Sequence, residues 1–527
     1  MRFASFAAAS VTVGALTLFS CVGDDAATSS SGGPAAGTEA GTETSASCTK
    51  MCSGQCSAGS DPLTGCNGSS CDPCPTTPHR LAKCNEDGSC AAGDCEQGFL
   101  DCEQAQPGCE VNSATDAKNC GACGAKCGTA NATGATCEAG KCKYACNGNF
   151  AHCSTDPSTG CDTDLGVDKE NCGACGHSCQ GGACVAGTCQ ALLVVGDPLA
   201  AKSINAQYGI TVIGNSVYGV SWYNAGGVVF KAPIDGTLGG MAPTYLFGAG
   251  VSASGTGVFS NGTDFAFGVY RQDAGGPAPG IWSFKTGAAS TTNIVAGTGS
   301  LNMCPQNPGS SIVSVAFDKT YVYWTNEQAP GAPANVSPCG GVYRASATDG
   351  TGVTKFLASE QIDNILADNG SVYLMDRTDG FLKAAAGATL GTTSSLASFT
   401  AGHKFRLAVD GTYAYVADNT ANKVYRTKKV GGGAPEDITP AKGTLTDACS
   451  AGFVIDDTRV FCAGPAVAGN KIFSFAKDGS STTVKVVATV GNGDFTYGPL
   501  VQDATSVYWA TAGVGAGTYS AVYRLAK

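Results

Sequence analysis

Cysteine is the residue type with the widest chemical potential in this chain, because it can form disulfides, bind metals or act as a redox thiol. Of the 29 Cys, 24 lie between residues 48 and 190. The same 143 positions hold only 11 Ile, Leu, Val, Met, Phe, Tyr or Trp residues. So few large apolar side chains cannot bury a sizeable core, and cross-links have to stabilise this region instead.

The cysteines recur with a fixed spacing. Cys109-x10-Cys120-x2-Cys123-x3-Cys127 returns 52 residues later as Cys161-x10-Cys172-x2-Cys175-x3-Cys179, and both copies contain the string Asn-Cys-Gly-Ala-Cys-Gly. A fixed period of this length indicates an array of small modules. We predict two units of eight Cys at 84–127 and 137–179, a six-Cys cap at 48–74 and a partial unit at Cys184 and Cys189. Each Gly after a Cys is expected to have positive φ.

Disulfides, zinc ligation and thiol catalysis are three interpretations of these cysteines. Zinc sites usually combine two Cys-x2-Cys pairs, whereas here a third Cys follows each pair after three residues. A thiol active site would be expected in a βαβ setting, which this region does not show. We therefore predict disulfides, with metal binding as an alternative that free thiols would support. The predicted disulfide cysteines of the two copies are Cys109, Cys120, Cys123, Cys127, Cys161, Cys172, Cys175 and Cys179.

The N-terminal segment has the features of a secretory signal. Arg2 precedes the apolar run 11–18, which is too short for a permanent membrane span, so residues 1–20 are predicted to be a signal peptide. The end of this segment, Leu18-Phe-Ser-Cys21, resembles the bacterial lipobox, and the resemblance implies that Cys21 is lipidated. Without Cys21, 28 Cys remain and can all pair. Ordinary secretion with Cys21 as a spare thiol is the alternative.

Residues 21–47 comprise the lipidated Cys and a linker of Ser, Gly, Ala, Thr and acidic residues, a composition typical of flexible tethers. Val22 follows the lipidated position, and by resemblance to lipoprotein sorting rules this implies the outer membrane. The predicted location is therefore outer membrane-anchored, either periplasmic or exposed at the cell surface, with the membrane as a partner through the lipid.

Residues 191–527 contain a second repeat, made of short strands separated by Asp- and Gly-rich turns. Seven Tyr- or Phe-containing strand centres occur between Tyr218 and Tyr508, 290 residues apart, or about 48 residues per step. Four short strands per repeat of this length are typical of a β-propeller. We predict an all-β fold, a seven-bladed propeller at 191–527 with six or eight blades as alternatives. Residues 191–196 are expected to supply the missing strand of the last blade.

Both repeat regions resemble known families. The Asn-Cys-Gly-Ala-Cys-Gly strings resemble the Cys-rich repeats of bacterial surface lipoproteins, which implies that 48–190 is a disulfide-rich stalk with little regular secondary structure. Val322-Tyr-Trp-Thr-Asn326 and the Val-Tyr-Arg strands resemble propellers of the NHL, TolB and streptogramin-lyase type. These resemblances imply location and architecture and do not specify an activity.

Two kinds of side chain in the propeller region could do chemistry. His403 is its only His, so a His-rich metal centre is not available. Five acids recur at one position of the repeat and could either form a ring of carboxylates around a channel or cap a repeated turn; we favour the turn. These acids are Asp318, Asp368, Asp410, Asp456 and Asp503. We also predict disulfides between Cys304 and Cys339 and between Cys449 and Cys462.

Charge and motifs narrow the function without identifying it. Residues 191–527 have 22 acids and 22 bases, and residues 48–190 have a net charge of −8, so nucleic acid is not expected as a partner. We predict no cofactor and a non-catalytic role in binding, adhesion or scaffolding of an unknown surface protein or polysaccharide. The loops Gln272–Gly280 and Glu327–Pro338 are the candidate contact segments. A propeller hydrolase or lyase and a metal-binding Cys-rich protein are the alternatives.

Overall fold

A computed structural model describes much of the chain and shows no helix in the described residues. No helix there meets the length and hydropathy needed to cross a membrane. The chain divides into two compact units, residues 1–97 with 103–110, and residues 98–102 with 111–527. The described residues are 50–57, 60–196, 209–220, 229–239, 241–247, 253–272, 280–285, 292–296, 311–327, 341–357, 362–368, 370–376, 380–385, 393–400, 402–403, 405–430, 433–441, 449–464, 471–489, 494–495, 500–512 and 521–527.

The Cys-rich region is built from small antiparallel hairpins joined by disulfides. It therefore contains more regular structure than the sequence predicts, because paired cysteines hold strands too short to be stable alone. Twelve strands, β1 to β12, form six two-stranded sheets, and in each sheet a strand pairs with the next strand along the chain. The strands are Lys50–Cys52 (β1), Gln55–Ser57 (β2), Arg80–Cys84 (β3), Cys90–Cys95 (β4), Phe99–Leu100 (β5), Val111–Asn112 (β6), Ala132–Glu138 (β7), Lys141–Cys146 (β8), Phe150–Ala151 (β9), Thr163–Asp164 (β10), Cys184–Val185 (β11) and Thr188–Cys189 (β12).

The disulfide connectivity repeats, and it corrects the predicted phase of the units. In residues 95–142 the bonds are Cys95–Cys109, Cys102–Cys123, Cys120–Cys137 and Cys127–Cys142. In residues 146–189 the same pattern returns as Cys146–Cys161, Cys153–Cys175, Cys172–Cys184 and Cys179–Cys189. Upstream, Cys52–Cys71, Cys66–Cys84 and Cys74–Cys90 repeat three of these bonds. The predicted units at 84–127 and 137–179 were therefore wrong in phase: the observed units begin two cysteines later, at Cys95 and Cys146.

The Asn-Cys-Gly-Ala-Cys-Gly string forms a tight turn whose geometry explains its composition. The Oδ1 of Asn171 accepts a hydrogen bond of 2.8 Å from the backbone N–H of Gly176. Gly173 has φ +75°, and a Cβ there would lie 2.6 Å from the carbonyl oxygen of Gly187. In the preceding copy, a Cβ at Gly121 would likewise lie 2.6 Å from the carbonyl oxygen of Gly140. Positive φ at these glycines is as predicted, and the close backbone approach is a second reason for Gly. Gly128, which follows Cys127, does not have the predicted positive φ.

Residues 209–489 form six sequential four-stranded antiparallel sheets, here called blades 1 to 6, in a β-propeller arrangement. The all-β prediction is confirmed for the described residues. Leu192–Val195 (β13) precedes the blades and belongs to none of the six. The strands of blade 1 are Ile210–Ile213 (β14), Ser216–Val220 (β15), Val229–Pro233 (β16) and Thr244–Phe247 (β17), and those of blade 2 are Ala253–Ser260 (β18), Asp264–Gln272 (β19), Gly280–Lys285 (β20) and Thr292–Ala296 (β21). The strands of blade 3 are Ser311–Phe317 (β22), Tyr321–Glu327 (β23), Gly341–Ser346 (β24) and Thr354–Leu357 (β25).

Blades 4 to 6 continue the same order. Their strands are Ile362–Asp368 (β26), Ser371–Asp376 (β27), Gly380–Ala385 (β28), Thr393–Ala397 (β29); Phe405–Val409 (β30), Tyr413–Asp418 (β31), Lys423–Lys428 (β32), Glu436–Asp437 (β33); Gly452–Ile455 (β34), Arg459–Gly464 (β35), Lys471–Ala476 (β36) and Lys485–Thr489 (β37).

A composite sheet combines strands from the two ends of residues 191–527. Its strands are β13, Asp494–Phe495 (β38), Val501–Gln502 (β39), Ser506–Ala512 (β40) and Ala521–Ala526 (β41). β13 pairs antiparallel with β41, with Leu193 opposite Tyr523. This is the pairing expected for residues 191–196, and it covers the edge that β41 would otherwise expose.

Apolar clusters join each sheet to the next. The first strand of each blade contacts the first strand of the following blade, and β39 contacts β14. Between blades 5 and 6 the cluster includes Tyr415, Val424 and Phe473. Tyr508 of the composite sheet and Phe230 of blade 1 share another cluster. The strand-centre aromatics therefore pack between sheets, which is why they recur at a fixed spacing.

Candidate functional site

The turns of the blades bring the predicted carboxylates to one end of the sheets. In a sheet of four sequential antiparallel strands, the turn between strands one and two lies at the same end as the turn between strands three and four. We call this end of the sheets the turn face, and the opposite end, where strands two and three connect, the loop face. Four of the recurring acids directly follow first strands and one ends a first strand, so all five lie at the turn face: Asp318, Asp410, Asp456 and Asp503, and Asp368 at the end of β26.

Four of these acids cap their own turn. The Oδ1 atoms of Asp318, Asp410, Asp456 and Asp503 each accept two backbone N–H groups, from the residues two and three positions later. The donor–acceptor distances are 2.6 to 2.8 Å. Asp and Asn adopt this turn readily because their short side chains reach their own backbone. The turn interpretation therefore holds for these four acids.

At Asp368 and Asp410, the Oδ2 atom joins neighbouring blades. Tyr415 Oη donates to Asp410 Oδ2 over 2.8 Å, and Lys477 Nζ of blade 6 donates to the same oxygen of blade 5 over 2.8 Å. Lys429 Nζ of blade 5 reaches Asp368 Oδ2 of blade 4 over 2.7 Å. Each lysine follows the third strand of its own blade by the same interval. The carboxylates at these positions thus form ion pairs between blades.

These contacts set the ionisation of the turn acids. Burial by itself raises the pKa of Asp410, but the hydrogen bonds from Lys477, from two backbone amides and from Tyr415 outweigh it and hold that pKa far below its usual range. The pKa values of Asp456 and Asp503 are also lowered, because their hydrogen bonds outweigh burial. Asp410, Asp456 and Asp503 are therefore anionic at neutral pH.

A groove opens on the turn face between blades 5 and 6. It has a volume of about 480 Å³ and is open to solvent. Tyr413 and Arg426 of blade 5 form one wall, and the guanidinium carbon of Arg426 lies 4.9 Å from the centre of the Tyr413 ring. The other lining groups are Asp410, Gly411, Thr412, Tyr415, Asp457, Thr458, Lys477 and Asp478.

His403 lies near the loop face and has a partner there. Its Nδ1 is 2.7 Å from Asp418 Oδ2, and the Asp418 side chain is only 4% exposed. The other oxygen of Asp418 accepts the backbone N–H groups of Thr420 and Ala421. The pair thus organises the short connection between the second and third strands of blade 5.

Every cysteine among the described residues is in a disulfide, including all eight predicted in the two copies. Three groups of three sulfurs lie within 4.8 Å, one of them Cys172, Cys179 and Cys184. They come from adjacent disulfides, in which the sulfurs are not thiolates and do not supply the ligands that zinc requires. Cys449 and Cys462, predicted as a pair, are bonded to each other.

Other predicted positions lie outside the described residues. These are Cys21, Cys304, Cys339 and most of the two candidate loops, residues 273–279 and 328–338. Sequence reasoning missed Lys429, Lys477 and Arg426. A repeated spacing in the sequence could have indicated them. An Arg at the fourth position of the third strand is followed three residues later by a Lys in Arg426 to Lys429 and in Arg524 to Lys527, and Lys477 lies at the same position after the third strand of blade 6.

No protein-family profile and no curated protein matches this sequence. Among solved structures, a nidogen/laminin complex is similar over 44% of this chain and 81% of that chain, with 14% identity and a TM-score of 0.30. YCF48 from Cyanidioschyzon merolae matches over 64% and 96%, with 12% identity and a TM-score of 0.38. A prolyl endopeptidase matches over 59% and 46%, with 14% identity and a TM-score of 0.37. Likeness at these values carries no conclusion about activity or partners.

Proposed function

We propose that this protein is a non-catalytic binding protein of the outer cell envelope, in which a propeller presents a contact surface for a protein or polysaccharide. The observation that supports the proposal is that the acids and the histidine that could have been catalytic are bonded to the protein itself. Four of the turn acids cap turns, Asp368 and Asp410 pair with lysines of neighbouring blades, and His403 pairs with Asp418. What the blades offer is a rigid framework of hydrogen-bonded sheets on which loops can bind.

The proposed framework is a seven-bladed ring, with the composite sheet as its seventh blade. Three contacts support this proposal: the pairing of β13 with β41, the apolar cluster shared with blade 6, and the one shared with blade 1. Closure by strands from both ends would hold the ring together without a free sheet edge.

The proposed location rests on the N-terminal sequence. Lipidation of Cys21 would anchor the chain, the linker to residue 47 would provide reach, and the disulfide-linked repeats would resist unfolding outside the cell. Disulfides suit an oxidising compartment, which agrees with export.

Binding is tested with the purified, fully oxidised chain, immobilised and exposed to envelope proteins and polysaccharides. A saturable partner that is lost when residues 272–280 or 327–338 are replaced by a short Gly-Ser linker would support the proposal. Turnover of a polysaccharide by the unmodified chain would instead favour the hydrolase or lyase alternative.

Anchoring is tested by labelling cells that express the protein with a radioactive fatty acid. We expect label in the wild-type protein and none in Cys21→Ser, which should also leave the outer-membrane fraction. Equal fractionation of the two proteins without label would contradict lipidation and leave the binding proposal unaffected.

A further inference from the structure

The groove between blades 5 and 6 differs in charge from a second cavity of the turn face. The smaller cavity, about 200 Å³ between blades 2 and 3, has Asp264, Lys285 and Lys319 as its charged lining residues. In the groove, Asp457 takes the repeat position of Lys319, and Lys477 takes that of Ala347. The larger volume is within the range of roughly 300–1,000 Å³ typical of small-molecule sites.

The cations of the groove are already paired. Arg426 donates from Nε and Nη2 to both oxygens of Glu436, over 2.7 and 3.0 Å, and from Nη1 to the carbonyl oxygen of Lys477 over 3.2 Å. Lys477 is paired with Asp410. An anion entering the groove would therefore compete with these carboxylates and would also meet the exposed acids Asp457 and Asp478.

The acids of the groove do not converge on a metal position. Among the described residues, the groups of three potential ligands whose ligand atoms lie within 4.8 Å contain only cysteines. Divalent cations such as calcium need six to eight oxygens around one point. Asp410, Asp457 and Asp478 instead lie along the groove, with Asp410 already bonded to its turn and to Lys477.

The remaining groups suit a neutral polyol. Asp457 and Asp478 are exposed acceptors, and Thr412 and Thr458 carry exposed hydroxyls that donate and accept. The guanidinium of Arg426 lies over one face of the half-buried Tyr413 ring and pre-organises it, so a sugar would have to pack on the opposite face. A pyranose combines hydroxyls that donate to carboxylates with a C–H face that packs on an aromatic ring.

We propose that this groove is a binding site for neutral saccharides. Carboxylate oxygens of Asp457 and Asp478 accept sugar hydroxyls, and Tyr413 packs against the sugar ring. The inference rests on the proposed binding function and names a ligand class for it. It places the site at the turn face, at the opposite end of the sheets from the connections that contain residues 272–280 and 327–338.

The test is titration of the full oxidised chain, in a zwitterionic detergent without sugar groups, with glucose, galactose, mannose, N-acetylglucosamine and maltose. Binding is followed by saturation-transfer NMR and calorimetry. We expect at least one sugar to bind, and Asp457→Asn and Asp478→Asn each to weaken it about tenfold, as expected when one charge-assisted hydrogen bond loses its charge. Tyr413→Leu, which keeps apolar volume, should weaken it similarly.

Two matched controls come from blade 3. Tyr321 lies under Arg344 as Tyr413 lies under Arg426, with a distance of 4.7 Å from the guanidinium carbon to the ring centre. Asp349 caps its turn as Asp478 does. Tyr321→Leu and Asp349→Asn should leave sugar affinity unchanged.

Three results would overturn the inference: no saturable sugar binding, equal affinity in groove and control variants, or binding of inorganic phosphate or calcium in place of sugar. Failure of the broader proposal is separable. If envelope polysaccharide still binds to the groove variants but not to the loop-replaced chain, the binding function stands and the groove assignment fails.

Discussion

Replacing Arg524 should loosen the junction between the last Cys-rich unit and the propeller. Arg524 lies on β41, and only 8% of its surface is exposed. Its Nη1 donates to the carbonyl oxygen of Gln180 over 3.2 Å, and its Nη2 to Gln180 Oε1 over 3.1 Å. It also donates to Ser506 Oγ over 2.9 Å and to the carbonyl oxygen of Ile234 over 3.4 Å. One side chain thus connects the Cys-rich unit, blade 1 and the composite sheet.

The expected cost follows from these contacts. Arg524→Met keeps the aliphatic stem and removes every donor. A hydrogen bond to a charged group contributes about 1.5–3 kcal/mol, but bonds from one side chain are not additive. We expect a loss of about 3 kcal/mol in the free energy of unfolding and a fall in Tm of roughly 5 °C.

The control is Arg344→Met, at the same repeat position in blade 3. Arg344 lies over the rings of Tyr321 and Phe356, at 4.7 and 5.4 Å. Cation–π contacts of this kind contribute about 0.5–1 kcal/mol each. Because both rings belong to the blade of Arg344 itself, we expect Arg344→Met to cost less than Arg524→Met. Thermal unfolding by circular dichroism, with disulfides intact, gives the comparison.

Hydrogen exchange gives the local readout. Backbone amides around Gln180 and Leu192 should exchange faster in Arg524→Met and unchanged in Arg344→Met. If Arg524→Met is no less stable than Arg344→Met, or if exchange at 180–192 does not change, Arg524 does not hold the junction and the reasoning is refuted.

Three further predictions concern the blades and the repeats. Lys477→Met should lower the free energy of unfolding by about 1–2 kcal/mol, and a double-mutant cycle with Asp410→Asn should show coupling of about 1 kcal/mol; additive effects would contradict the inter-blade pair. The folded-state pKa of Asp410 is lowered, so the contribution of its ionised carboxylate to the free energy of unfolding is full above the unfolded pKa near 4 and is lost as the pH falls from there toward the folded pKa. Tm should therefore be level down to about pH 5 and drop below pH 4. The drop should be less steep in Asp410→Asn. Gly173→Ala should impair the Cys172–Cys184 bond, seen by peptide mapping, more than Gly176→Ala, which has φ +76° but open space around its Cβ position; equal effects would exclude the contact with Gly187.

The predictions that succeeded came from local patterns. Alternating apolar residues and Asp-Gly turns predict antiparallel strands, because a strand has a period of two and a turn needs particular backbone angles. The turn-capping role of Asp318 and Asp456 follows from their own backbone neighbours. The pairing of residues 191–196 with the last strand could be predicted because a missing strand leaves a sheet edge unpaired.

The phase of the Cys repeats could not be predicted. Cys123 bonds back to Cys102, whereas Cys120 bonds forward to Cys137. The string with the clearest sequence signal therefore lies in the middle of a unit and joins its two halves. Sequence spacing gives the period of such an array but not its boundaries, because connectivity depends on which sulfurs meet in three dimensions.

The sequence by itself determined the all-β character, the two kinds of repeat and the disulfide chemistry, since these depend on residue type and short-range spacing. Only the tertiary structure decided which groups meet across blades. Asp410 and Lys477 are 67 positions apart, and Arg524 and Gln180 are 344 apart. These contacts and the groove between blades 5 and 6 exist because successive sheets pack face to face and bring turns of different blades together. Local sequence carries no record of that packing.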